Sequence, residues 1–148
     1  MPRRVFFSFH YQRDIMRVNQ VRMSNQFIGV PAAGWADASL WEEAKKKGDL
    51  VIKKMIDDAL HNTSVTVVCI GGATAGRKYI NYEIDKSLAR GNGILGLRIN
   101  HLLAPRIGSD VLGEIPEKLK AIRAPIYSFT TAAALGLWVE KAAIAAGR

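Results

Sequence analysis

At 148 residues, with 49% hydrophobic and 8% aromatic side chains, the chain has the composition of one globular domain spanning residues 1–148, and it excludes a disordered or fibrous protein. The net charge of +8 raises nucleic acid as a partner, but "KKK" at 45–47 is the only run of three bases and lies beside "EE" at 42–43, so the charge reads as solvated surface. A single cysteine, Cys69, excludes an internal disulfide, and His10, His61 and His101 lack zinc-ligand spacing, so a reducing cytoplasmic setting with no metal site is expected.

The opening "MPRRVFFSFHYQRD" carries an apolar run too short for a secretory signal, so export is not expected. Its "RRVFFSFHY" reads as a buried first strand ending near His10. Residues 19–38 are irregular, with Gly and Pro, and a long loop of this kind inside a small domain is expected to cover a site. "SLWE" at 39–42 has capping-box spacing and predicts a short helix interrupted by Gly48. A second helix, 49–61, aligns Val51, Ile52, Met55, Ile56, Ala59 and Leu60 on one stripe, with Asp49 as its N-cap and His61 near its end.

"TSVTVVCIGG" at 63–72 is the strongest strand, and Cys69 inside it reads as inert core. Residues 77–90 form an amphipathic helix stopped by Gly91, with a core stripe of Ile80, Ile84 and Leu88. "GILGLRI" at 93–99 and "APIYSF" at 124–129 supply two more strands, and the alanine-rich tail forms a last helix capped by Thr130 or Thr131. The charge-free stretch at 124–139 falls short of the roughly 20 residues a membrane span needs.

Alternating strands and helices predict an α/β fold: a single doubly wound, mostly parallel sheet with helices on both faces. Ligands bind such sheets beyond the carboxyl ends of the strands. That rule gathers "FHYQRD" (9–14), "GGATAGRK" (71–78) and the segment after Ile99 along one rim. Glu83 lies on the helix that starts at this rim, between Tyr79 and Lys86, bordering the core stripe. An ordinary helix-face acid paired with Arg90 or Lys86 is one reading of it.

The segments "VFFSFHYQRD" and "TSVTVVCIGGATAGRKYINYEIDKSLARGNGILGLRIN" resemble the bacterial TIR-like family first catalogued as a domain of unknown function, which includes the TIR sensors of the Thoeris anti-phage system. More distantly they are similar to the NAD-cleaving TIR domains of plants and animals. The resemblance implies a TIR-like, flavodoxin-like fold and an enzyme that breaks the nicotinamide–ribose bond of NAD. Glu83 matches the catalytic glutamate of such domains, and Tyr79 stands at the flanking aromatic position, where tryptophan is more usual. Phe9, His10 and Tyr11 match the positions that line the nucleotide cleft. Ser8 is counted with them as substrate-binding; it alternates with the phenylalanines, where a local hydrogen bond is the other reading, and a nucleophile role lacks a base pattern.

A carboxylate at this place stabilises an oxocarbenium-like sugar as the cationic base departs, and that leaving group needs no acid. NAD would then be a substrate, with no resident cofactor. The product, linear or cyclic ADP-ribose, depends on whether water is excluded. A cyclic product acting as a second messenger on a separate effector protein, with self-association of the sensor, follows from the Thoeris resemblance. The reading from another class is a non-catalytic TIR adaptor acting through assembly. "GGATAG" lacks the Lys-Ser/Thr ending of a triphosphate-binding loop, and Trp35 and Trp41 read as core anchors around the irregular loop.

Overall fold

A computed structural model of the chain describes residues 3–22, 27–31, 45–105 and 108–148. Its centre is β3 (Val65–Ile70), whose β-branched residues are all buried, as a strand covered on both faces requires. Around it runs a five-stranded sheet in the order β2–β1–β3–β4–β5, with every pairing parallel. The other strands are β1 (Arg3–Ser8), β2 (Phe27–Pro31), β4 (Gly93–Arg98) and β5 (Ile126–Ser128).

Among the described residues, α1 (Tyr11–Arg22), α2 (Asp49–Leu60), α3 (Lys78–Arg90) and α4 (Glu117–Ala121) lie in the four crossovers, and α5 (Ala132–Ala145) follows the last strand. Val18 and Val21 of α1 and Leu135 and Val139 of α5 join Val65, Val67, Leu95 and Leu97 in one apolar layer. Ile80 and Ile84 of α3 and Leu119 of α4 join Val68, Ile70 and Ile94 in another. The doubly wound α/β architecture expected from the alternation is therefore present. No helix among the described residues is long and apolar enough to cross a membrane.

Several local expectations are corrected. Part of the segment read as an irregular loop, 19–38, is ordered as the end of α1 and as β2; its remainder, with Trp35, lies outside the described residues, as do Trp41 and the start of the helix expected from "SLWE" at 39–42, while residues 45–47 are helical and Gly48 interrupts the helix as expected. Among the described residues β2 pairs with β1 alone, and an edge tolerates the Gly29 and Pro31 that made the segment look irregular. The helix α1 was hidden because its buried positions, Tyr11, Asp14, Arg17, Val18 and Val21, include two charges. Asp49 is not the N-cap of α2: Gly48 is, with φ 99° and no side-chain capping bond. Leu88 leaves the stripe of α3 and is 42% exposed, while Ser87 takes the buried position.

Two caps behave as the sequence predicts. The left-handed Gly91 (φ 78°) ends α3, and the Thr131 side chain accepts from the Ala134 amide at the start of α5.

Candidate active site

The strand order reverses between β1 and β3, and the sheet opens a cleft beside that point, as the switch-point rule expects. The cavity holds about 400 Å³, within the range of small-molecule sites. Its walls are Phe9, His10, Tyr11 and Gln12 beyond β1, Lys45 and Gly48 before α2, Asp49 and Ile52 at its head, and Arg77, Lys78, Tyr79, Ile80 and Glu83 along the head of α3.

Glu83 sits at the depth of this cleft. It is 2% exposed, and its Oε1 accepts a 2.7 Å hydrogen bond from Ser8 Oγ, the last side chain of β1. No cation is paired with it among the described residues, so neither Arg90 nor Lys86 serves as its partner. Burial without a counter-charge pushes the carboxyl up to about 8, and the Ser8 bond only partly opposes this. At neutral pH the group is therefore mostly the neutral acid.

A seam of hydroxyls explains how an acid reaches this depth. Thr66 Oγ1 and Ser87 Oγ meet at 2.6 Å, Ser87 Oγ donates to the Glu83 carbonyl at 2.7 Å, and Asn92 Nδ2 donates to Thr63 and Thr66. These short polar side chains sit between α3 and the sheet where bulky apolar ones would hold the helix off. Their hydrogen bonds satisfy one another, which is the condition for burying them.

The structure brings most of the residues singled out in the sequence to one place. Phe9, His10, Tyr11, Tyr79 and Glu83 all line the cleft. Phe9 and Tyr11 are nearly buried, with ring centroids 5.8 Å apart, so they serve as wall more than as open surface. His10 is pulled below its ordinary value by burial and by Arg77 and Arg13, which favours the neutral imidazole. Ser8 is the exception among the expected substrate contacts. It is fully buried, does not line the cavity, and faces Glu83 instead.

Sequence reasoning set Gln12, Arg77 and Lys78 on the rim within their segments without naming them as site residues, and it read Asp49 only as a helix cap. For Arg77 and Lys78 the signal was present, since both follow a strand end and precede Tyr79. For Asp49 there was none beyond its place after a glycine. The segment after Ile99, expected on the rim, packs against α1 and the glycine pair instead of lining the cleft. There Asp110 accepts from Arg13 at 2.7 Å and from the Gly72 amide at 3.1 Å. The "GGAT" turn is closed by Thr74 Oγ1, which accepts from the Gly71 amide at 2.8 Å. A Cβ on Gly71 or Gly72 would collide with the carboxylates of Asp14 or Asp110, so this pair is glycine for packing and not for cradling phosphate.

The heads of α1, α2 and α3 all open on the cleft, and their helix dipoles add to the positive field of Arg77 and Lys78. A parallel sheet with an acid beneath such a rim is the arrangement of a TIR-like domain. The family model described as "Thoeris protein ThsB, TIR-like domain" matches residues 6–103, and the chain belongs to that family.

Among curated proteins, the chain is similar to "Putative cyclic ADP-D-ribose synthase ThsB1" of Bacillus cereus (strain MSX-D12), 52% identical over 104 residues. The match covers 68% of this chain and 53% of that protein, so the chain spans about half the length of the curated relative it matches.

Proposed function

We propose that this chain cleaves the nicotinamide–ribose bond of NAD and closes the remaining ADP-ribose into a cyclic product, with Glu83 as the catalytic residue. The observation that carries this reading is a carboxyl group buried at the base of a ligand-sized cleft with one hydroxyl partner and no paired cation among the described residues. Such a group lacks a positive partner that a substrate can supply. The pyridinium of NAD, and then the oxocarbenium-like sugar, would bring that charge into the cleft and draw the acid toward its ionised form.

In the reaction the C1′–N bond breaks and its electron pair leaves with nicotinamide, which departs neutral. Ionised Glu83 accepts hydrogen bonds from the ribose hydroxyls and offsets the charge at C1′. A nucleophile of the same molecule, an adenine nitrogen or a ribose hydroxyl, then bonds to C1′, any displaced proton passing to solvent. Walls formed by Phe9, Tyr11, Ile52 and Ile80 disfavour water as the competing nucleophile. The cationic rim of Arg77 and Lys78 suits the pyrophosphate. NAD is consumed as substrate, and no resident cofactor takes part.

In the same reading the chain acts in the cytoplasm as an anti-phage sensor, assembles with further copies of itself, and signals through its nucleotide product to a separate effector protein. The family and the name of the Bacillus relative support the Thoeris setting and the cyclic nucleotide product; the location, assembly and effector are carried over from the resemblance alone. An adaptor working by assembly alone has no use for an acid held in its costly neutral form at a cleft.

The test is to incubate wild-type and Glu83→Gln protein with NAD and follow nicotinamide and species of cyclic ADP-ribose mass by mass spectrometry. Release of nicotinamide with a cyclic product by the wild type, lost in the variant, is expected. Equal turnover by two folded proteins would remove Glu83 from the chemistry; no turnover by either, in cells under phage challenge as well, would leave the adaptor.

A further inference from the structure

The helices α2 and α3, which form two walls of the cleft, are tied together by two tyrosine–aspartate bonds of the same kind. Tyr79 Oη donates to Asp49 Oδ1 at 2.8 Å, and Tyr82 Oη donates to Asp57 Oδ1 at 2.8 Å and Oδ2 at 3.1 Å. Their surroundings differ. Asp57 and Tyr82 lie away from the cavity, whereas Asp49 and Tyr79 both line it.

Asp49 has more than one partner. Lys78 Nζ lies 2.7 Å from its Oδ1 and 5.4 Å from the centre of the Tyr79 ring, and Lys53 Nζ lies 3.2 Å from its Oδ2. The carboxylate thus closes a triangle with the phenol and the ammonium that follow each other at the head of α3. At the end of α2 that bears it, Gly48 has a positive φ with nothing packed where a Cβ would stand, and no side chain caps the helix.

We infer that Asp49 is a positioning residue for the cleft, which sets the orientation of Tyr79 and the spacing of the α2 and α3 walls above Glu83. This deepens the reading of the cleft as an NAD site and rests on it. Asp49 touches Tyr79 and Lys78 and need not touch the reacting atoms. Its consequence is a substrate-binding effect with the chemical step left near its wild-type rate. The Asp57–Tyr82 bond, of equal chemistry on the same two helices, tethers α2 without shaping the cavity.

The phenol of Tyr79 reports the contact directly. Burial and the Asp49 carboxylate hold it up to about 12, with burial the larger cause. In Asp49→Ala, its ultraviolet ionisation, isolated by difference against the same protein with Tyr79→Phe, is expected to move down toward the ordinary tyrosine range. NAD binding is measured by calorimetry on the Glu83→Gln background, where no turnover is needed. There Asp49→Ala is expected to weaken binding by about tenfold. In turning-over protein, KM rises by a similar factor while kcat stays within about twofold.

Asp57→Ala is expected to leave NAD binding and the Tyr79 titration unchanged. Equal effects of Asp49→Ala and Asp57→Ala on binding would overturn the inference, since both would then act only by loosening α2. So would an unmoved Tyr79 ionisation, or a loss confined to kcat. Should no protein turn over NAD, the titration and the binding contrast still decide the role of Asp49, so failure of the enzymatic reading is seen separately.

Discussion

Glu83 and Asp14 are both buried, at 2% and 0% exposure, and both serve the carboxyl-end side of the sheet, yet the chain treats the two acids in opposite ways. Asp14 is given a guanidinium: Arg17 Nη1 lies 3.0 Å away, itself only 1% exposed. Arg17 then spends its other donors on the carbonyls of Leu102 and Gly108, at 3.0 and 2.8 Å, so this pair fastens α1 to the segment that follows β4. Burial still pushes Asp14 upward, but Arg17 works against it through both charge and hydrogen bond. Glu83 receives one hydroxyl and a cavity. A buried acid with its cation already in place is architecture, and one whose cation is missing is poised for a ligand.

The sharpest way to break this contrast is to remove each acid's ability to ionise while keeping its shape. Glu83→Gln is expected to lower NAD cleavage by about 10²–10³-fold or more, the scale of losing a group aimed at developing charge. Its thermal unfolding should show no loss of stability, because the amide replaces an acid that is already neutral at pH 7. Asp14→Asn should show the reverse, with unfolding at lower temperature and cleavage, per folded molecule, retained.

Next in size is the removal of the cation. Arg17→Met leaves Asp14 buried without its partner and frees the carbonyls of Leu102 and Gly108, at an expected cost of about 3–5 kcal/mol in urea unfolding. A loss under about 1 kcal/mol would mean that Asp14 simply takes up a proton and that the pair contributes little.

How far this contrast was visible beforehand depends on which acid is considered. Glu83 was legible as a candidate because it borders the Ile80 and Ile84 stripe at helical spacing, and the "GRKYINYEI" stretch gave it a family resemblance. Its partner was not legible, since Ser8 lies 75 residues away and only the packing of α3 on β1 brings them together. Asp14 was worse than silent. Two charges on the buried stripe of α1 made the helix look like the polar end of a strand, because periodicity counts apolar residues and cannot see a charge neutralised from within. The centre of the sheet was plain from β-branched runs. Its edge β2 was not, because Gly29 and Pro31 are allowed there for the reason that makes them read as loop.

Acidity offers a smaller but cleaner separation. Burial holds Glu83 up to about 8 in the folded protein, above the ordinary carboxyl value of about 4.5, so between the two the folded protein holds a proton that the unfolded chain has lost. Stability contributed by this group is therefore present below about pH 4.5 and is lost as pH rises to about 8, by a few kcal/mol at most. Urea midpoints across that range should fall in the wild type relative to Glu83→Gln. Activity is expected to run the other way, with kcat/KM rising through the same region as the free enzyme ionises. A flat difference between the two proteins would place Glu83 at an ordinary carboxyl value.

The smallest effect tests what Ser8 does for Glu83. Its hydroxyl donates to the carboxyl and favours the ionised form, so Ser8→Ala should raise the acid further, by about one pH unit or less, in keeping with roughly 1 kcal/mol for one hydrogen bond. The rising limb of kcat/KM then moves to higher pH while activity well above it recovers toward wild type. A serine that contacts substrate instead would give a higher KM at every pH with the limb unmoved. The two outcomes separate a side chain that sets the acid from one that holds the nucleotide, and full burial of Ser8 between β1 and α3 favours the first.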